Sequence, residues 1–185
     1  MKFIKQLRER WGFWKLRRMS AEVQRERAQN IRWSEKPTIG LLYFHRPEEE
    51  AKLHQWVEHK AKSGFKVRSL GFMELEKGEE LPASGLRYEY FSQKELNWFY
   101  QPVSAAVKSF IESDFDVLID LDRIGRLPIR YALQQSKARM KIGRCGEEVP
   151  FDLCFEVDRS TDIESFLAIT EQYLNMMDPT QNKAS

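Results

Sequence analysis

Two carboxylates two residues apart, Asp120 and Asp122, close the apolar run FDVLIDLD. At a strand's end such a pair can hold Mg²⁺ or divide the nucleophile and acid–base roles of a hydrolase. It can also be turn chemistry, since Asp accepts hydrogen bonds from backbone N–H groups just ahead of it. Arg126, four residues beyond Asp122, is the cation that would complete a pocket with them. The histidines offer less. His54 and His59 are five apart, whereas two ligands on one helix face need i,i+4, so no metal is expected. No cofactor is expected either, because the loop FHRPEEE lacks the glycines of a phosphate cradle. Cys145 and Cys154 are nine apart with no CxxC spacing, and Cys154 sits in the apolar FDLCFEV, which points to core thiols in a reducing compartment. Between Tyr88 and Tyr100 six aromatics crowd a loop. They read as a lid over the core or a stacking surface, with Trp98 the residue to test.

Charge gives a second candidate. The 185 residues sum to +2, but residues 1–30 carry nine Lys/Arg against three Glu, a local +6 that leaves −4 for the remainder. Six of those nine cations are Arg, and guanidinium forks suit phosphate. Phe3, Ile4, Leu7, Trp11 and Trp14 recur every three or four residues, so residues 2–28 read as a basic amphipathic helix. Arg8, Arg10, Lys15, Arg17, Arg18 and Arg25, with Trp11 and Trp14, would engage an anionic partner. That partner is structured RNA or the ribosome, which phosphate contacts and stacking would suit, or an anionic membrane surface. The bland alternative is that the stripe packs on the protein's own body, on a protein partner or on a second copy.

These residues need elements to position them. TIGLLYF (38–44) is a continuous apolar run, as a strand covered on both faces requires, and FDVLIDL (115–121) reads as the most apolar strand and so as the candidate for the sheet centre. FKVRSLGFM, LRYEYFS, ARMKIGR and FDLCFEV read as four more strands, with LRYEYFS near an edge. Helices follow Pro47, Pro102 and Pro128, and a last one begins near Asp162. The pattern predicts an arm and linker over 1–36, one α/β domain over 37–177 and a frayed tail over 178–185. The domain should be a single Rossmann-like, mostly parallel sheet with helices on both faces. No run approaches the ~18 apolar residues of a membrane-spanning helix, and the expected setting is the cytoplasm, peripheral to a membrane or the ribosome if the arm takes it there. The first strand's loop, FHRPEEE, has no glycine and puts three Glu at a helix start, which excludes the usual phosphate cradle there.

Three resemblances follow from quoted segments. VLIDLD is similar to the opening motif of haloacid-dehalogenase-type phosphatases, but Arg123 and Ile124 stand where that family has Gly and Thr. Residues 115–144 resemble part of the heptosyltransferase-like glycosyltransferases, which implies one Rossmann-like half-domain where those enzymes have two and hold the nucleotide-sugar mainly in the second. TIGLLYF, YFSQKELNWFYQP, FDVLIDLD and LPIRYALQQSKAR running into MKIGR together resemble a family of small uncharacterised bacterial proteins, a domain of unknown function, over about residues 38–175. That resemblance implies the fold and a bacterial cytoplasmic setting, and no catalytic residue. The expected function is therefore a non-catalytic binding or adaptor protein working through its basic arm. The alternative is a nucleotide-sugar or glycosyltransferase-like half-domain with Asp120, Asp122 and Arg126 at the ends of the central strands.

Overall fold

The computed structural model describes residues 8, 11–12, 36–146 and 151–177. Strand β1, Thr38–Phe44, has five consecutive buried residues and is sandwiched between two apolar layers. Ile39, Leu41 and Tyr43 point to one layer and Leu42 to the other, as strand alternation requires. Helix α1, Pro47–Lys62, takes proline in its first turn and Glu48, Glu49 and Glu50 beside it, complementing the helix dipole. Leu53 and Val57 of α1 are fully buried, each contributing about 1.5–3 kcal/mol of apolar burial. Gly64, at φ 90°, turns the chain in the left-handed region just past the helix.

Strands β2 (Lys66–Met73), β3 (Tyr88–Ser92), β4 (Val117–Asp120), β5 (Met140–Arg144) and β6 (Leu153–Phe155) complete a sheet of order β3-β2-β1-β4-β5-β6. Every neighbouring pair is parallel. This is the strand order of the Rossmann fold, with β4 beside β1 at the centre and β3 at an edge. Helices α2 (Ala105–Ile111), α3 (Leu127–Gln135) and α4 (Ile163–Met177) cover the sheet together with α1. Leu53 and Val57 of α1 and Phe166 and Leu167 of α4 share one core cluster. Val107 and Phe110 of α2 and Ile129 and Leu133 of α3 share the opposite one.

Two expectations need correction. Pro102 does not open a helix; it forms a bridge with Leu96, and α2 starts after Ser104, whose hydroxyl accepts from the Val107 N–H. A serine N-cap satisfies a backbone donor that proline alone leaves open. The cysteines are not core thiols. Cys145 and Cys154 form a disulfide and both residues are exposed. In β6 only Phe155 is buried, so alternation turns Cys154 outward.

Candidate functional site

The β1/β4 boundary is where the strand order reverses, and open α/β sheets bind ligands outside the strand ends there. Here that crevice is filled by the chain's own ions. Glu49, at the start of α1, is buried and pairs with Arg123 of the loop after β4 and with Arg46, the latter at 3.0 Å. The acidic helix start is thus bound to arginines and offers no cradle to an external phosphate.

The open space lies to one side, over the ends of β4, β5 and β6. Asp120 ends β4 almost fully buried, and its Oδ1 accepts the Asp122 N–H at 2.9 Å. Asp122 accepts the Arg126 N–H at 2.5 Å and pairs with the Arg126 guanidinium, which also covers the Phe44 ring at 3.5 Å. Asp122 therefore folds the 122–126 turn. Burial, with the neighbouring Asp122 charge adding to it, pushes the Asp120 carboxyl up to about 7; the Asp122 N–H, Arg130 and Arg144 work the other way.

A cavity of about 180 Å³ opens on these carboxylates. Four arginines line it: Arg123, Arg130, Arg144 and Arg159. Arg130, from α3, lies against Gly125, which is held at φ 68°. Arg144, at the end of β5, donates to the Asp158 and Thr161 carbonyls at 3.2 and 2.9 Å and stacks over Phe166 at 4.4 Å. Its Nε is buried with no partner among the described residues, as is that of Arg123. Burial, then the Arg123 charge, lowers the Arg144 pKa, while Asp120, Glu49 and Asp122 oppose the shift. Four cations face two carboxylates, an excess of positive charge in a partly enclosed space, which favours an anion.

A second cavity, about 260 Å³, sits on the other side of the Ile124–Gly125 turn. Phe72, Leu96, Tyr100, Arg126 and Leu127 are among its lining. The structure thus brings Asp120 and Asp122 into one cavity and puts Arg126 on the next, joined to them through the Asp122 pair. Trp98 is in neither and is 59% exposed. Instead it lies under Arg8, whose guanidinium stacks at 4.5 Å and whose Nε donates to the Trp98 carbonyl at 2.8 Å. Arg8 also stacks on Tyr100 at 4.7 Å. Gly12 is buried and its carbonyl accepts from the Tyr131 hydroxyl at 3.0 Å. Trp11 is exposed. The expected sites at Arg10, Trp14, Lys15, Arg17, Arg18 and Arg25 lie outside the described residues.

Comparison with known proteins places the chain in one family. A model of a family of unknown function, DUF6913, matches residues 8–177. The chain belongs to the DUF6913 family. No curated protein and no solved structure is detectably similar to it. The family match starts at Arg8, so Arg8 and Gly12, which contact Trp98 and Tyr131, belong to the matched unit along with the sheet.

Sequence reasoning named none of the four cavity arginines as a site residue. Arg144 ends β5 and Arg123 lies in the loop after β4, close to the strand ends where this fold class puts ligands, and that position was the available signal. Arg130 lies inside a helix and Arg159 beyond the last strand, so only the fold brings them to the same cavity.

Proposed function

We propose that this chain is a binding protein for a small anionic ligand, bearing a phosphate or carboxylate group, at the carboxyl ends of β4, β5 and β6. The observation that carries this reading is the convergence of Arg123, Arg130, Arg144 and Arg159 on one cavity. Guanidiniums bind oxyanions through paired N–H donors, and partial enclosure strengthens each contact. Size narrows the choice. Whole drug-sized ligands fill about 300–1,000 Å³, whereas this cavity holds about 180 Å³, enough for an anionic head and short of a complete nucleotide-sugar.

The test is a thermal-shift panel on the full chain with inorganic phosphate, pyrophosphate, small dicarboxylates, nucleotides and a nucleotide-sugar at matched ionic strength. A ligand at 100 times its Kd should stabilise the fold by about 2.7 kcal/mol. Arg130→Gln and Arg159→Gln should abolish that gain. No ligand exceeding the salt control, or gains that survive both substitutions, would refute the site.

A second reading rests on the charge split. The +6 of residues 1–30 against a −4 remainder supports an arm that engages structured RNA. Binding of the full chain to an rRNA fragment should weaken steeply as salt rises and vanish when residues 1–32 are removed. Parallel titration with anionic vesicles separates the membrane alternative.

A further inference from the structure

We propose that Cys145–Cys154 is a thiol–disulfide exchange site on the rim of the arginine cavity, opened by a dithiol reductant and able to close again. Both cysteines are exposed, so a donor thiol can reach either sulfur. The backbone holds the two together without the bond. Gly143 of β5 pairs with Cys154 of β6, the Cys145 N–H donates to the Phe155 carbonyl at 3.0 Å, and the Cα atoms are 4.9 Å apart. That separation is within bridging range, so reduction leaves two thiols poised to re-form the bond.

The two sulfurs are not equivalent. Cys145 lines the cavity together with four guanidiniums, Arg123, Arg130, Arg144 and Arg159. These outnumber the carboxylates near it, Asp120 and Asp122 in the cavity and Glu156 in the adjoining hollow, whereas Cys154 is part of neither lining. Nearby guanidiniums stabilise a thiolate, and the sulfur that leaves as the better thiolate leaves faster. The direction of exchange follows. A donor thiolate attacks Cys154 Sγ, the Cys145–Cys154 bond breaks, and its electron pair departs on Cys145 toward the arginines. The donor's second thiol, as thiolate, then attacks the donor sulfur of the mixed disulfide and releases Cys154. The donor leaves as a disulfide, two electrons pass to the chain, and the protons from its two thiols go to the released sulfurs or to solvent. Closing is the reverse, with a disulfide oxidant accepting the two electrons. Resting on the anion-binding reading is one consequence: the freed Cys145 thiolate adds negative charge to the cavity and weakens binding of an anion.

The experiment reduces the full chain with dithiothreitol under native conditions and maps iodoacetamide alkylation at each cysteine across pH. Native reduction should release two thiols. The Cys145 midpoint should lie at least one unit below the ~8.5 of a free thiol, with Cys154 nearer that value. Arg159→Gln should raise the Cys145 midpoint and slow its alkylation at pH 7 severalfold. A bond that resists native reduction overturns the proposal, and so does a Cys145 midpoint at or above the free-thiol value. Phosphate affinity is measured alongside in the oxidised, reduced and Cys145→Ser forms. The expected order is weaker binding in the reduced chain than in the other two. If the thiols behave as stated and phosphate binds none of the three, the anion reading fails while the exchange site stands.

Discussion

Gly125 and Arg130 compete for one volume: a Cβ on Gly125 would overlap the Arg130 guanidinium. The position is also left-handed, at φ 68°, a conformation in which a side chain costs about 1–2 kcal/mol. One missing methyl group thus lets the chain turn after β4 and lets Arg130 lie in the cavity.

Gly125→Ala should therefore do two separable things. Urea unfolding should report a loss of about 1–2 kcal/mol from backbone strain. Calorimetry should report a loss of anion affinity comparable with that of Arg130→Gln, because the displaced guanidinium no longer faces the ligand. A variant that loses stability yet keeps full affinity would show that Arg130 does not contribute to binding.

Stability should carry a pH signature from Asp120. Its carboxyl holds a proton up to about pH 7 in the folded chain, whereas its ordinary value is 3.8. Between those values the folded state binds more protons than the unfolded one, so the contribution of Asp120 is greatest below about pH 4 and is lost as pH rises to about 7. The slope is at most about 1.4 kcal/mol per pH unit for one group. Asp120→Asn keeps an acceptor for the Asp122 N–H and removes the charge, so the variant should gain on the wild type between pH 5 and pH 8. A stability difference independent of pH across that window would remove Asp120 as its source. Anion affinity should fall over the same interval as the carboxylate charge appears.

How far the sequence reaches depends on whether a feature is local. TIGLLYF and FDVLIDL declare themselves as doubly covered strands because apolar residues fall on consecutive positions, Leu41 to Phe44 and Val117 to Ile119, and both prove central. The edge position of LRYEYFS is legible in its weaker, alternating pattern. Pro102 misleads because a proline start signal and a serine N-cap lie two residues apart, and the cap decides. The disulfide is invisible for a different reason. Cys145 and Cys154 meet only through the β5–β6 register, which no spacing rule contains. The arginine cavity is of the same kind, since its arginines come from the loop after β4, a helix, the end of β5 and the turn beyond β6. Asp120 and Asp122 were legible as residues, but their division of labour was not. One turns out to be a buried, proton-retaining carboxyl and the other the anchor of a turn.

Asp122 should prove a structural residue first. It accepts from both the backbone and the guanidinium of Arg126, and its own side chain is fully buried. Asp122→Ala breaks a largely buried pair and leaves both donors unmet, which should cost about 3 kcal/mol in urea unfolding. Asp122→Asn retains an oxygen for the Arg126 N–H and should cost less than half of that. Equal losses in the two variants would mean that the charge, not the backbone hydrogen bond, holds the turn.

The docking of Gly12 can be tested through its two contacts. A Cβ at Gly12 would overlap the Leu127 side chain and sit 2.9 Å from the Phe99 carbonyl, while the Gly12 carbonyl accepts from Tyr131. Tyr131→Phe removes only the hydrogen bond and should cost about 1 kcal/mol. Gly12→Val also forces residue 12 away from Leu127 and should cost about 2 kcal/mol, within the usual range for overpacking. Trp98→Ala removes the exposed stacking partner of Arg8 and should cost only about 0.5–1 kcal/mol. If the two contacts of Gly12 act together, the double variant Gly12→Val/Tyr131→Phe should be no less stable than Gly12→Val alone, since the first substitution already undoes the hydrogen bond. Fully additive losses would instead mean that Tyr131 stabilises the fold independently of Gly12.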